Sequence, residues 1–190
     1  YKGVKFMLWI ILIIVVLLIL FIISAYNSLV TLRQRVKNAF GQMDVQLQRR
    51  FDLIPNLVET VKGYMTHESD TLAKVTELRT AWAGAKTVDE KAKLDNELSN
   101  TLKTIMAVAE AYPDLKANQN FASLQNELTE TEDKISYSRQ FYNDTVTRYN
   151  TKLELFPSNI IAGMFHFTAE SLFEVDSPEA RKNVKVDFNK

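Results

Sequence analysis

Two histidines and no cysteine among 190 residues restrict the chemistry this chain can carry. His67-Glu68 lacks the second histidine four residues on that a zinc-binding helix needs. His166 has no glutamate three residues before it, so no Glu-x-x-His di-iron pair forms. Without cysteine there is no disulfide framework, thiolate metal site, catalytic Cys or lipid-anchored N-terminal Cys. The Gly-x-x-x-x-Gly-Lys phosphate loop and the Gly-x-Ser-x-Gly elbow are both missing. No catalytic residue, metal or cofactor is therefore assigned, and Glu127, Glu130, Glu132 and Asp133 read as a solvated helix face. The densest polar cluster is Gln48-Arg49-Arg50-Phe51-Asp52, followed by Asn56. Arg50 stands where a helical apolar stripe calls for Leu or Val. Glu132, Arg139 and Asn143, with Asp144 and Asn150, fall on or beside the stripe of a later helix. Arg49, Arg50, Asp52, Asn56, Glu132, Arg139 and Asn143 are read as an interhelical polar network that fixes register. An inter-subunit contact, or a rim position with no role, are the alternatives. An enzyme would need Arg49, Arg50, Asp52 and His67 in one concave pocket. A binding module would show a groove lined by Trp82, Tyr112 and Phe121.

The elements that must position these residues begin with a membrane span. Of the first 25 residues, 21 are apolar, and Phe6 to Ile23 is an unbroken apolar run of 18. As a helix it reaches about 27 Å, close to the ~30 Å hydrocarbon layer. It is longer than a usual signal-peptide core and has no Gly or Pro before a cleavage site. As a buried core helix it is the weaker alternative, because the rest of the chain could hardly cover it. A single transmembrane anchor is the reading, with Trp9 and Tyr26 at the two interfaces. The span holds no charge, Asn or Gln, so it is not a conduction path, and no Gly-x-x-x-Gly encodes close dimer packing. Lys2 and Lys5, with the amino terminus, balance Arg33, Arg35 and Lys37 across it. A short basic head before an apolar run resembles a signal anchor, which puts the large domain on the extracytoplasmic side.

Downstream the apolar period is helical. Leu29, Leu32, Val36, Phe40, Met43, Leu47, Ile54, Val58, Val61 and Met65 recur at steps of three, four or seven, the seam of a helix pair or bundle. The run follows the span with no Gly or Pro between, so one helix is expected to leave the bilayer as a stalk. Pro55 predicts a kink or break near Asp52–Pro55, with Gly63 near the end. A second helix is predicted from Ser69 to Ala85. Thr87-Val-Asp-Glu90 forms a capping box for a third, carrying Leu94, Leu98, Leu102, Ile105 and Ala109 up to Tyr112-Pro113. Asn118 or Asn120 caps a long fourth helix ending before Pro157, and Ser158–Met164 forms a short fifth turn. The tail from Asp176 reads as polar and mobile. Isolated helices of this polarity are unstable, so the stripes must meet. The expected fold is all-α: an N-terminal transmembrane helix continuing into an up-and-down antiparallel bundle of two long and two shorter helices. The domains are 1–25 (anchor), 26–175 (bundle) and 176–190 (tail).

Particular segments also carry a family resemblance. Tyr26-Asn27-Ser28-Leu29-Val30, Gln48 through Val58 (QRRFDLIPNLV) and Val61-Lys62-Gly63-Tyr64 are similar to the LemA family. So are Tyr112-Pro113-Asp114-Leu115-Lys116-Ala117-Asn118, Leu124-Gln125, Glu132-Asp133-Lys134-Ile135, Arg139, Tyr142-Asn143 and Phe156-Pro157-Ser158-Asn159. The resemblance runs from the membrane span to about Phe173. It implies a bacterial protein with one N-terminal membrane helix and a helical-bundle domain. No enzymatic activity is established for that family, and a relative among magnetosome membrane proteins hints at membrane organisation.

The charges balance, 23 Lys+Arg against 23 Asp+Glu, which removes the basic surplus nucleic acid would require and does not oppose self-association. The expected function is a structural scaffold of the bacterial inner membrane, not an enzyme. It would self-associate and organise membrane or membrane proteins. A binding or signalling module presented to a partner protein is the alternative. The expected partners are the lipid bilayer, further copies of the chain and a membrane protein.

Overall fold

A computed structural model describes residues 2–175; the tail expected from Asp176 lies outside the described residues. Among the described residues seven helices follow one another: α1 (Lys2–Asp52), α2 (Ile54–Val61), α3 (Ser69–Gly84), α4 (Val88–Ala109), α5 (Pro113–Lys116), α6 (Gln119–Glu154) and α7 (Ser158–Met164). Among the described residues there is no strand, and the fold is all-α.

Local chemistry sets most helix ends. α1 passes through Ser24–Leu32 without interruption. It stops where Pro55 has no N–H to give the Phe51 carbonyl, and the Leu53 N–H is shared between the Arg49 and Arg50 carbonyls at 3.3 Å each. Pro55 then sits in the first turn of α2, where its missing donor costs nothing. Thr87 caps α4 as expected: its side chain accepts from the Glu90 N–H at 3.1 Å, and the Glu90 carboxylate accepts from the Thr87 N–H at 3.0 Å. Asn118, rather than Asn120, caps α6, its Oδ1 accepting from the N–H groups of Asn120 (2.9 Å) and Phe121 (3.1 Å). The one-turn α5 was not anticipated; Pro113 opens it with a preset φ.

The chain divides into two compact units. In one, residues 2–41 meet 141–170. Its segments of α1 and α6 run antiparallel: Leu153 packs by Ala25 and Leu29, while the Phe40 ring lies 5.6 Å from that of Tyr142. Val36, Ala39, Val146 and Tyr149 are buried between these contacts. α7 turns back so that Ile161 and Ala162 join Ala25 and Leu29. It ends in a Schellman motif, with Phe167 N–H donating to Ala162 O (2.9 Å) and His166 N–H to Gly163 O (3.3 Å). His166 takes the left-handed position, φ 56°. The Tyr149 hydroxyl donates to Thr168 O at 3.0 Å, and burial raises its pKa above the ordinary tyrosine value. Asn150 clamps Glu170 twice, donating to its carbonyl and accepting from its N–H, both at 2.9 Å.

In the same unit the large side chains from Val4 to Phe21, and Ile23, are exposed; among the described residues only Ile22 of the apolar run packs against the rest of the unit. It is the one described helix long and apolar enough to cross a membrane. Water is a poor solvent for so large a continuous apolar surface, which a bilayer would cover.

The second unit holds residues 42–140 with 171–175. Its helices alternate in direction. Lys74 pairs with Glu97 (3.3 Å) and Trp82 with Lys91 (5.0 Å), so α3 and α4 are antiparallel. The end of α1 runs parallel to α4, since Asp44 meets Lys91 and Arg50 meets Asp95. Met43, Leu47, Ile54, Val61 and Met65 enter its core, as the apolar stripe predicts; Phe51 and Leu57 join them from outside the stripe, and Val58, expected on it, is half-buried. On α4 the seam is Ala92, Asp95, Leu98, Leu102, Ile105 and Ala109. Leu94, expected on it, is half-buried instead, because the helix turns its neighbour Asp95 inward.

Candidate functional site

Arg50 replaces a hydrophobic residue in the series Met43, Leu47, Arg50, Ile54, and helical geometry therefore drives a guanidinium into the core of the second unit. Its side chain is 5% exposed. A buried cation must find partners, and three surround it. Nη1 donates to Asp95 Oδ1 at 2.9 Å and to Ser99 Oγ at 3.0 Å. Nη2 pairs with Glu132 Oε2 at 2.6 Å. The guanidinium thus ties α1 to α4 and α6 at once. Nε is buried without a hydrogen-bond partner.

The two carboxylates differ in setting. Asp95 is 3% exposed and Glu132 is 48% exposed. Burial raises the Asp95 pKa; the Arg50 charge and hydrogen bond and the Arg139 charge oppose that rise, and the Glu132 charge adds to it. Desolvation outweighs attraction here, the usual balance for a buried ion pair. A cavity of about 360 Å³ opens beside this cluster, lined by Arg50, Ser99 and Glu132 with Leu102, Lys103, Met106, Gln125, Leu128 and Thr129.

Of the residues expected to form a polar network, the structure brings Arg50 and Glu132 into contact and leaves Arg139 half-buried, its charge felt at Asp95. Arg49, Asp52 and Asn56 are exposed and do other things. Arg49 helps Lys134, which acts first through a hydrogen bond, to lower the Glu130 pKa. Asp52 accepts from Gln48 Nε2 at 2.8 Å. Asn56 lines a surface hollow with Glu59, Asn120 and Glu127, and its carbonyl accepts from the Thr60 hydroxyl. The physical reason is angular: Leu47, Arg50, Phe51 and Ile54 share the inward face of this stretch, which turns Arg49 and Asp52 outward. Asn143 is half-buried in the other unit. Trp9 is exposed along the apolar run, and Tyr26, partly exposed, meets the rings of Phe165 (4.8 Å) and Phe167 (5.7 Å).

Asp95 and Ser99 are the partners that sequence reasoning missed. The signal was there: Asp95 occupies a seam position three residues from both Ala92 and Leu98. The arrangement can hold charge and fix helix register. Arg50 lines one cavity, Arg49 and Asp52 line another, and His67 is exposed, so the enzyme constellation is not assembled. No group of three or more His, Asp or Glu converges among the described residues. The aromatic groove is not made either. Trp82 is buried, stacked on Phe51 at 4.3 Å and 13°, with its indole N–H donating to Gln48 Oε1 at 2.9 Å, and Phe121 is buried too.

The model of a family described as LemA matches residues 39–188. Among similar proteins are Magnetosome protein MamQ 2 and Magnetosome protein MamQ 1 of Paramagnetospirillum magneticum, each 25% identical over 179 residues, covering 80% of this chain and 66% of the relative. Protein LemA of Metamycoplasma hominis is 24% identical over 155 residues, covering 80% of this chain and 70% of that protein. The chain thus spans just under two thirds of the length of the two magnetosome relatives.

Proposed function

Since the chain belongs to the LemA family, we propose that it is a membrane-anchored scaffold that self-associates and organises membrane or membrane proteins without catalysis. One observation carries this role. α1 is a single 51-residue helix that begins in the uncovered apolar run and contributes buried Arg50 near its end. A helix anchored in lipid at its start and held by side-chain contacts near its end suits mechanical positioning. The arrangement around Arg50 suits cohesion between helices. Two relatives are named as magnetosome proteins, which supports a role at a membrane.

The test is mass measurement of the full chain in lipid nanodiscs across a concentration series, paired with protease protection in sealed vesicles. Assemblies of more than one copy are expected, with the helical domain on the extracytoplasmic side of the bacterial inner membrane. A monomer at every concentration refutes the scaffold. A second role, a binding or signalling module presented to a partner protein, is favoured by the cavity beside Arg50 and Glu132. Recovery of one stoichiometric membrane-protein partner, lost on filling the cavity with Thr129→Trp, would select it.

A further inference from the structure

The run Leu155 to Phe165 (LFPSNIIAGMF) contains 11 residues and no charge, in a chain that is 24% charged. It comprises the α6–α7 turn and α7. One face of α7, with Ser158, Ile161 and Ala162, is buried. The opposite side is apolar as well, and no described residue covers it: Phe156 is 78% exposed and Met164 60%, with Ile160 and Phe165 also exposed. Ile160 and Met164 are four apart within α7, so they project together, and exposed Phe156 stands in the turn that leads into the helix.

The place of this surface along α1 says what covers it. Ile161 and Ala162 pack on Ala25 and Leu29, with Ile22 against the same cluster. Ala25 is two residues past Ile23, the last residue of the apolar run, or about 3 Å along the helix axis; Leu29 is about 9 Å past it. The headgroup layer on each side of the hydrocarbon is roughly 5–8 Å thick. α7 is therefore held at the depth of that layer, beside the point where the span leaves it. Tyr26, a residue type favoured at this level, is in ring contact with Phe165. Arg33 lies 4.9 Å over the Phe167 ring, a cation at the outer edge of the same surface.

We propose that the α6–α7 turn and α7 form a second membrane contact, an interfacial segment whose apolar side enters the headgroup–acyl boundary of the leaflet that α1 exits. It rests on the membrane anchorage proposed above. The lipid surface is continuous with the span, so this contact requires no partner protein. Two contacts fix the tilt and rotation of α1, which a single helix leaves free.

The absence of native cysteine makes the test direct. Single variants Phe156→Cys, Ile160→Cys and Met164→Cys are made in the full chain, labelled with an environment-sensitive fluorophore, and reconstituted in phosphatidylcholine–phosphatidylglycerol vesicles. Leu17→Cys marks the span and Ala73→Cys, exposed on α3, marks water. Trp82 emission and helicity confirm folding for each variant. Quenching by doxyl lipids, shallow or deep, is compared with quenching by an aqueous nickel chelate. Labels at 156, 160 and 164 are expected to be quenched about twofold more by shallow than by deep doxyl groups, with the reverse at 17 and neither at 73. If the Leu17 label is in lipid while those at 156, 160 and 164 behave like that at 73, the interfacial contact is overturned and the anchor stands. If the three are shielded from both lipid and nickel, another protein surface covers them and the proposal is equally overturned. A Leu17 label outside lipid removes the anchor, and the interfacial contact with it.

Discussion

Replacing Arg50 by leucine removes the charge that compensates a buried carboxylate. Asp95 is 3% exposed, and its cationic contact is Nη1 of Arg50 at 2.9 Å. Without the guanidinium, Asp95 keeps its desolvation penalty and loses the main attraction opposing it. Glu132, at 48% exposure, turns to water at little cost. Breaking a buried pair from one side costs about 3–5 kcal/mol. For a chain of this size that lowers Tm by roughly 6–20 °C. The assay is thermal unfolding of the full chain in detergent, followed by the fluorescence of Trp82, which stacks on Phe51 in the same unit. The double variant Arg50→Leu with Asp95→Leu should recover half or more of the loss, since an apolar replacement of the whole pair leaves no orphaned charge. A pH series adds a sign. Asp95 has a raised folded pKa, so the folded state holds its proton where the unfolded chain has released it. Stability therefore falls as pH rises from the ordinary aspartate value through the raised one. In Arg50→Leu the fall should extend to higher pH, because the lowering influence of the guanidinium is gone. The reasoning is refuted if Arg50→Leu melts within about 0.5 kcal/mol of the parent, or if the double variant is no better than the single.

Trp82→Ala should cost about 3–5 kcal/mol in urea unfolding followed by circular dichroism, because it empties the stack on Phe51 and strands Gln48. Thr87→Ala should cost about 1 kcal/mol in the same measurement through loss of the α4 cap. Backbone hydrogen bonds from Lys86 and Thr87 hold the Glu90 pKa below its ordinary value, so its support of that cap is present above the ordinary glutamate pKa. That support disappears as pH falls through the lowered value, and a pH series on Glu90→Gln should lose this dependence. His166→Gly should gain about 0.5–1 kcal/mol, read as a higher Tm, since glycine takes the left-handed position at the end of α7 without a Cβ penalty.

What depends on neighbours along the chain was legible in the order of residues. Eighteen consecutive apolar residues decide the uncovered start of α1. Pro55 ends α1 through its missing N–H, and Thr87 and Glu90 close a cap within four residues of each other. The apolar spacing from Leu29 to Met65 identified the inward face and placed Arg50 on it. Tertiary structure decided what depends on residues far apart. Arg50 meets Asp95 across 45 positions, and Trp82 meets Gln48 across 34. A charged residue in a stripe announces that it needs a partner, but which one faces it is set by how helices are rotated and offset, to which every core residue contributes a little. The same holds for α7. Its uncharged run was visible as a short helical turn, whereas its seat against Ala25 and Leu29, at the end of the apolar run, follows only from the path the chain takes after α6.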